Sequence, residues 1–238
     1  LEKYPKRVGK PFECLLIPPM LRPKMLSKLV DAGLVRVQTG IESGSAKESK
    51  EIHNRSPGNR AIMKFAEFNK ELKLNVVYDV IVDNPHATEE MKIETVEFLL
   101  DLPRPYDIFF YSLNYFPGTA LTRQALADGM LDPNEVEGRA NKSWYQFRVS
   151  MDWPRSDEDR FYLALFSMAS KSFIPKALIQ KFLDEREYWK QNVEPVYQLA
   201  KATNLAKMAY VGARYFKNGE LTWFKIRQYG DITKMISQ

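Results

Sequence analysis

The stretch NVVYDVIV, residues 75–82, decides the fold class of this chain. Most of its side chains are apolar and β-branched, which is typical of a strand inside a parallel sheet. A helical pattern of apolar residues precedes it at residues 62–72, and another follows at residues 91–102. A strand between two helices is the repeating unit of βαβ folds, so the sequence predicts a parallel sheet.

The same alternation extends over the first half of the chain. Strand patterns lie at residues 12–17, 34–41 and 107–113, separated by helical patterns. We therefore predict an α/β fold over residues 1–130, a partial (β/α) TIM-like barrel of four parallel strands. In such folds the chemistry lies at the carboxyl ends of the strands.

The second half of the chain has a different pattern, and we predict a mainly helical region over residues 131–238. Residues 132–156, which include Trp144, read as loop, and helical patterns follow at residues 157–171, 175–190 and 193–216. These helices are rich in aromatic residues. The aromatic side chains either pack as a helical layer on the sheet or line a groove for a substrate or partner.

Composition excludes several classes of protein. Of the 238 residues only Cys14 is a cysteine, which excludes an internal disulfide framework and a metal site made only of this chain's thiolates. No apolar run approaches the roughly 20 residues of a membrane span. His53 and His86 are far apart, lack a nearby carboxylate partner in the sequence pattern and are expected on surface loops, so no metal site is predicted. We expect a cytoplasmic protein.

The second strand ends in GIESGS, residues 40–45, which has features of a ligand site. Gly40 and the second glycine allow a ligand to approach the backbone closely. Ser45 and Glu48 have the spacing of a capping box, and the helix N-terminus that they predict favours an anion. Glu42 could accept hydrogen bonds from a ribose diol, and Arg55 could pair with a carboxylate. The alternative is an ordinary strand-to-helix turn.

The third and fourth strands supply further candidates. Asp79 interrupts an apolar strand, and a buried carboxylate needs either a partner or a role. Tyr115 and Phe116, followed by Pro-Gly at Gly118, could form an apolar wall and an exposed backbone turn for an adenine ring. The alternatives are a core carboxylate with its own partner, and a tight turn with buried aromatic side chains.

Taken together, these segments resemble the latter part of a radical S-adenosylmethionine enzyme. The resemblance rests on GIESGS at 40–45, Asn-Arg at 54–55, YDVIVDNP at 78–85 and FPGT at 116–119, with Leu121 and Gly129. The preceding segment resembles the cobalamin-dependent branch of that superfamily, which includes anaerobic magnesium-protoporphyrin IX monomethyl ester oxidative cyclases. Its matching residues are Tyr4, Gly9, residues 11–14 and residues 32–33.

The resemblance implies that S-adenosylmethionine lies at the strand ends. By this comparison Glu42 and Ser43 contact the ribose and the methionine end, Arg55 helps to hold the carboxylate, and residues 80–85 and 115–119 flank the adenine. The expected cofactor-binding residues are Gly40, Glu42, Ser43, Ser45, Arg55, Asp79, Val82, Tyr115, Phe116 and Gly118. No catalytic residue is assigned.

The chain departs from the family pattern at the iron–sulfur cluster. The family's C-x-x-x-C-x-x-C motif, whose three thiolates hold a 4Fe–4S cluster, is missing. At residues 85–88 the sequence is PHAT, without the carboxylate that the family usually has there. We therefore expect an inactive fragment of an oxidoreductase. The full-length protein would cleave S-adenosylmethionine to a 5′-deoxyadenosyl radical, with cobalamin as a further expected cofactor.

Several functions and partners stay open at this stage. Instead of an oxidative cyclase, the parent protein could be a radical methyltransferase or methylthiotransferase, or the chain could be a non-catalytic basic binding domain. Its net charge of +5 reads as a solvated surface, so we do not expect a nucleic-acid partner. The expected partners are a small-molecule substrate and the missing N-terminal half of the protein. The edge at residues 12–17 would self-associate or be covered by the C-terminal helices.

Overall fold

The chain forms two compact units, which we call the sheet unit (Leu1–Arg148) and the helical unit (Val149–Gln238). The structure is a computed structural model that describes residues 2–17, 22–55, 58–132, 134, 136 and 151–219. Trp144 and most of the loop predicted at residues 132–156 lie outside the described residues. The predicted division at residues 130 and 131 stays a prediction.

The sheet unit alternates strands with helices along the chain. Its strands are β1 (Phe12–Leu15), β2 (Leu34–Glu42), β3 (Asn75–Val82) and β4 (Asp107–Ser112). Its helices are α1 (Tyr4–Arg7), α2 (Pro23–Asp31), α3 (Ala46–Glu51), α4 (Asn59–Leu72), α5 (Glu89–Asp101) and α6 (Ala120–Ala127).

The four strands form one parallel sheet in the order β1-β2-β3-β4. Sequential order follows because each helix returns the chain to the next position along the sheet. Thr39 of β2 lies opposite Tyr78 of β3, which lies opposite Ile108 of β4. The predicted α/β class with four parallel strands is confirmed.

The two faces of β2 differ in burial. Val37, Thr39 and Ile41 are almost completely buried. Arg36, Gln38 and Gly40 alternate with them and are half-buried. We call the surface formed by Arg36, Gln38 and Gly40, together with the neighbouring Asp79, the polar face. Burial of each large apolar side chain on the other face contributes about 1.5–3 kcal/mol, so that face anchors the sheet.

Serine and threonine hydroxyl groups cap the N-termini of several helices of the sheet unit. Ser45 accepts a hydrogen bond from the Glu48 amide at the start of α3, as the capping-box spacing predicts. Thr88 caps α5 and Thr119 caps α6 in the same way. Each cap accepts a hydrogen bond from an amide N–H of the first helical turn, for which the helix itself has no carbonyl partner. The caps therefore fix the points at which the helices begin after the strand ends.

Strand β1 lies at the edge of the sheet and leaves apolar surface uncovered. Its Leu15 is 77% exposed, and Ile17 just beyond it is 48% exposed. In the described part of the chain β2 is the strand that pairs with β1, so the outer edge of β1 has no described strand partner. Self-association through this edge stays a prediction.

The helical unit is described over residues 151–219, where the predicted helical character is confirmed. Its helices are α7 (Asp157–Ala169), α8 (Lys176–Asp184), α9 (Arg186–Gln191) and α10 (Val193–Lys217). The prediction of one helix over residues 175–190 is wrong, because the backbone at Glu185 (φ −96°, ψ 23°) interrupts it. None of the helices in the described ranges is long and apolar enough to cross a bilayer.

The aromatic residues of the helical unit serve partly as its own core. Phe161 and Tyr162 of α7 are fully buried, with ring centroids 5.2 Å apart. The Arg160 guanidinium lies 4.5 Å from the ring centroid of Tyr197 on α10, a cation–π contact. Beyond Thr203, α10 exposes large apolar side chains, including Leu205 and Phe216.

Candidate functional site

Strand β2 ends in a bulge that turns the Glu42 side chain back over Gly40. The pairing with β3 shifts register between Gly40 and Glu42, and Glu42 has a left-handed φ of 65°. A side chain at Gly40 would collide with the Glu42 carboxylate. Glycine at position 40 therefore leaves room for this carboxylate, which a Cβ there would displace, and the carboxylate lies over the polar face.

Arg55 pairs with Glu42 at the mouth of this site. One guanidinium nitrogen, Nη2, lies 2.6 Å from Glu42 Oε1, and the side chain of Arg55 is half-exposed while that of Glu42 is mostly buried. Burial raises the pKa of Glu42, and the positive charge of Arg55 only partly opposes this. The pair presents a carboxylate and several guanidinium donors side by side.

A buried carboxylate, that of Glu48, connects the ends of β2 and β3. Its side chain accepts hydrogen bonds from Ser43 Oγ (2.7 Å) and from Asn84 Nδ2 (2.5 Å). His53 Nε2 lies 3.5 Å from the same carboxylate, and both side chains are 5% exposed. We call Ser43, Glu48, His53 and Asn84 the Glu48 cluster. It explains how a charge can lie inside the protein, since buried carboxylates need several partners.

Helix α5 is attached to this cluster through Thr95. Its Oγ1 lies 3.1 Å from Ser43 Oγ and accepts a hydrogen bond from the Gly44 amide at 3.1 Å. Gly44 packs so closely on α5 that a Cβ there would lie 2.5 Å from Thr95 Cα. Asn59 of α4 donates to the Gly44 carbonyl oxygen. Residues 43–45 therefore contact the Glu48 cluster, α5 and α4.

Strand β3 contributes polar groups at two positions, one within the strand and one just after its end. Gln38 Nε2 donates to both carboxylate oxygens of Asp79, each at 2.9 Å. This interaction provides the partner that a carboxylate in an apolar strand requires. Val82 is buried at the strand end, and Asp83 next to it has a left-handed φ of 56° that directs Asn84 toward Glu48.

The turn after β4 combines a buried and an exposed aromatic ring. Tyr115 is buried, and its hydroxyl lies 3.2 Å from His86 Nε2. Phe116 is 45% exposed, and Gly118 adopts a φ of 80° that only glycine accommodates easily. The turn thus offers one ring face and backbone groups at the carboxyl end of the sheet.

The structure places the predicted residues at four locations. Gly40, Glu42 and Arg55 form the mouth of the site, with Asp79 one strand away. Ser43 and Ser45 are instead fully buried and bond within the protein, Ser43 Oγ to Glu48 and Ser45 Oγ to the α3 backbone. Tyr115, Phe116 and Gly118 lie on the neighbouring β4 turn, and Val82 lies at the end of β3.

Two expectations about histidine and carboxylate side chains are wrong. His53 was expected on a surface loop, but it is buried beside Glu48, and this pair is also a carboxylate–histidine contact that the sequence pattern did not reveal. Backbone hydrogen bonds from His53 N to Glu48 O and from Arg55 N to Ser49 O hold the segment after α3 against that helix. The roles of Glu48 beyond helix capping, of Asn84 and of Thr95 were not foreseen either.

The residues of this chain do not fit an iron–sulfur cluster. Cys14, the single cysteine, lies on β1, and burial raises the pKa of its thiol, which disfavours the thiolate that binds iron. In the described ranges no group of three or more His, Cys, Asp or Glu side chains is arranged to bind a metal ion.

Acid should weaken the fold through Glu48. Burial alone would raise the pKa of Glu48, but its contacts with His53, Ser43 and Asn84 outweigh burial and lower this pKa. A carboxyl whose folded pKa lies below its unfolded value, about 4.3, stabilises the protein above that pH and loses this contribution as pH falls through the folded pKa. We therefore expect the melting temperature of the unsubstituted chain to fall more steeply below about pH 5 than that of Glu48→Gln. Parallel curves for the two proteins would contradict this assignment.

Comparison with known proteins gives weak structural likenesses. No protein-family model matches the chain, and no curated protein sequence matches it. Coproporphyrinogen III oxidase (HemN) from Escherichia coli, a radical SAM enzyme, superposes with a TM-score of 0.43 at 17% identity, covering 54% of this chain and 30% of that chain. Elp3 from Methanocaldococcus infernus with an N-terminal deletion gives a TM-score of 0.44 at 15% identity, covering 74% of this chain and 42% of that chain. The chain thus spans less than half the length of either protein, and these likenesses do not define its family.

Proposed function

We propose that the carboxyl ends of β2, β3 and β4 bind S-adenosylmethionine and that the chain is part of a radical S-adenosylmethionine oxidoreductase. The observation that carries the proposal is the Glu42 carboxylate, held over the polar face by a bulge and by Arg55. A left-handed glutamate is a costly conformation, and such conformations cluster at functional sites. The sequence motifs at residues 40–45, 78–85 and 116–119 support the same proposal.

The side chains at these strand ends suit the parts of this ligand. Glu42 can accept hydrogen bonds from a ribose diol or an ammonium group, and Arg55 has donors beyond the one that Glu42 uses. The exposed ring of Phe116 suits the adenine, and Gly118 gives access to backbone groups. Strands lie about 4.8 Å apart, so β2 and β4 are separated by about 10 Å, a span that an adenosyl nucleoside can bridge.

The chemistry of the complete protein needs groups that this chain does not supply. S-adenosylmethionine, when bound, would supply the adenosyl group for hydrogen abstraction, while the residues of this chain bind and orient it. Because one cysteine cannot hold a 4Fe–4S cluster, we propose that another segment of the full-length protein carries the cluster ligands. Within this proposal we favour an oxidative cyclase-like enzyme of the cobalamin-dependent branch, located in the cytoplasm. Radical methyl transfer and methylthiolation are the alternatives.

The ligand assignment predicts a specific loss of binding in Glu42→Gln. Charge-assisted hydrogen bonds contribute about 1.5–3 kcal/mol, so this variant should bind S-adenosylmethionine roughly 10- to 100-fold more weakly by isothermal titration calorimetry. Glu67→Gln, at an exposed position of α4, is the matched control and should bind like the unsubstituted chain.

Methylthioadenosine, which lacks the methionine carboxylate, isolates the contribution of Arg55. Arg55→Met should weaken binding of S-adenosylmethionine more than binding of methylthioadenosine, because only the former presents a carboxylate, whereas loss of the Arg55–Glu42 pair affects both ligands. The proposed site would be refuted if the unsubstituted chain showed no saturable binding of S-adenosylmethionine. It would also be refuted if Glu42→Gln and Glu67→Gln bound this ligand with equal affinity. Tight, salt-dependent RNA binding in its place would favour a non-catalytic basic domain.

A further inference from the structure

Arg36 lies on the polar face, at a distance along β2 from the Glu42 site. Arg36, Gln38 and Gly40 are alternate residues of the strand and therefore share one face. At about 3.3 Å per residue, the backbone of Arg36 lies about 13 Å from that of Gly40. A second group of atoms could thus bind beside a nucleoside held by Glu42 without competing for the same side chains.

One nitrogen of the Arg36 guanidinium lacks a hydrogen-bond acceptor. Its Nε is buried and finds no hydrogen-bond acceptor among the described residues. Glu13, opposite Arg36 on β1, forms an ion pair with it in which Oε2 lies 3.6 Å from Nε, beyond hydrogen-bonding distance, and Glu13 is mostly exposed. A buried donor without an acceptor destabilises the folded protein, and such a group in a native protein calls for an explanation.

Neighbouring side chains orient this guanidinium across the sheet. Its central carbon lies 5.7 Å from the ring centroid of Phe109 on β4, two strands away, in a cation–π contact. Asp79 is engaged in the bidentate contact with Gln38 instead of with Arg36. The positive charge therefore lies on the polar face, supported by an aromatic ring, with no acid in hydrogen-bonding reach of Nε.

We propose that Arg36 binds an oxyanion of the substrate, a carboxylate or a phosphate, on the polar face of the sheet. An oxyanion would engage the accessible part of the guanidinium fork, whose geometry matches such groups, and by displacing the side chains that cover Nε it would also give that nitrogen the acceptor that it lacks. That this oxyanion belongs to the substrate rests on the proposed function, which assigns the nucleoside to Glu42. The binding of an oxyanion by Arg36 rests on the local geometry alone.

The test follows the Nε–H resonance of Arg36 in the 238-residue chain labelled with ¹⁵N-arginine. Benzoate probes for a carboxylate site, inorganic phosphate for a phosphate site, and benzamide controls for the uncharged ring. We expect saturable movement of the Arg36 resonance with benzoate or with phosphate, at least fivefold larger than with benzamide and than that of Arg60, an exposed arginine of α4. Arg36→Met assigns the resonance and should weaken binding of that anion at least fivefold, whereas Arg60→Met should not.

Each result decides a separate claim. A stationary Arg36 resonance, or one that moves no more than that of Arg60, overturns the oxyanion site, and this measurement is made on the unsubstituted chain. If Arg36 responds but S-adenosylmethionine fails to bind, the oxyanion site stands and the proposed function fails. If S-adenosylmethionine binds equally to Arg36→Met and to the unsubstituted chain but neither anion moves the resonance, the proposed function stands and this inference fails.

Discussion

Replacing Glu48 with alanine should lower the free energy of unfolding of the sheet unit by about 3–5 kcal/mol, the range for breaking a buried charged interaction. The substitution would leave Ser43 Oγ and Asn84 Nδ2 without their acceptor and His53 without its neighbouring charge. It would also disconnect the ends of β2 and β3. Urea denaturation followed by circular dichroism measures the loss, and amide exchange in β2 and β3 assigns it to this unit.

Glu51→Ala provides the matched control for Glu48→Ala, because it makes the same change in the same helix at an exposed position. Its effect should stay within about 0.5 kcal/mol. Glu48→Gln should fall between the two variants, since an amide keeps one acceptor but places an NH₂ group against donors. Equal destabilisation by Glu48→Ala and Glu51→Ala would show that the Glu48 cluster contributes no net stability.

Replacing Gly44 with alanine should be the second strongly destabilising change, at about 2–3 kcal/mol. The new Cβ would lie 2.5 Å from Thr95 Cα and 2.8 Å from Phe98 Cβ. These atoms belong to the α5 backbone and to the first side-chain carbon, so a change of rotamer cannot relieve the clash. Helix α5 would have to move, which would lengthen the hydrogen bond from the Gly44 amide to Thr95 Oγ1.

Gly58→Ala is the control for Gly44→Ala, because no atom of the described residues lies within 4 Å of the Cβ position at Gly58. Gly58 is an N-cap residue with φ −73°, so Gly58→Ala should lower the free energy of unfolding by no more than about 1 kcal/mol. Urea denaturation of both variants measures the difference. If Gly44→Ala were as mild as Gly58→Ala, α5 would not be packed rigidly against residues 43–45.

Local pattern was sufficient to locate the strands of the sheet. The run at residues 75–82 was predicted with the bounds that the structure has, since its β-branched residues are bordered by polar and turn-forming ones. The α3 cap was predicted equally well because Ser45 and Glu48 interact within one helical turn. In both cases the residues that decide the structure are neighbours in the sequence.

The Glu48 cluster could not be predicted in this way. Asn84 lies 36 residues from Glu48, and Thr95 lies 52 residues from Ser43. Spacing along the chain indicates which face or strand end a residue occupies, but not which partner it meets there. Asp79 is a similar case, since its need for a partner followed from burial, whereas Gln38 as that partner required the register of β2 against β3.

At the ends of two neighbouring strands of this sheet, an acidic residue adopts the left-handed backbone conformation that favours glycine. Glu42 and Asp83 have φ values of 65° and 56°. Each left-handed residue of this kind costs on the order of 1 kcal/mol, which glycine would recover. Selection for thermal resistance alone would therefore replace these acids at both strand ends. An engineering campaign scored only by melting temperature would favour glycine at these positions, and it would thereby remove the Glu42 carboxylate that we propose as a ligand contact.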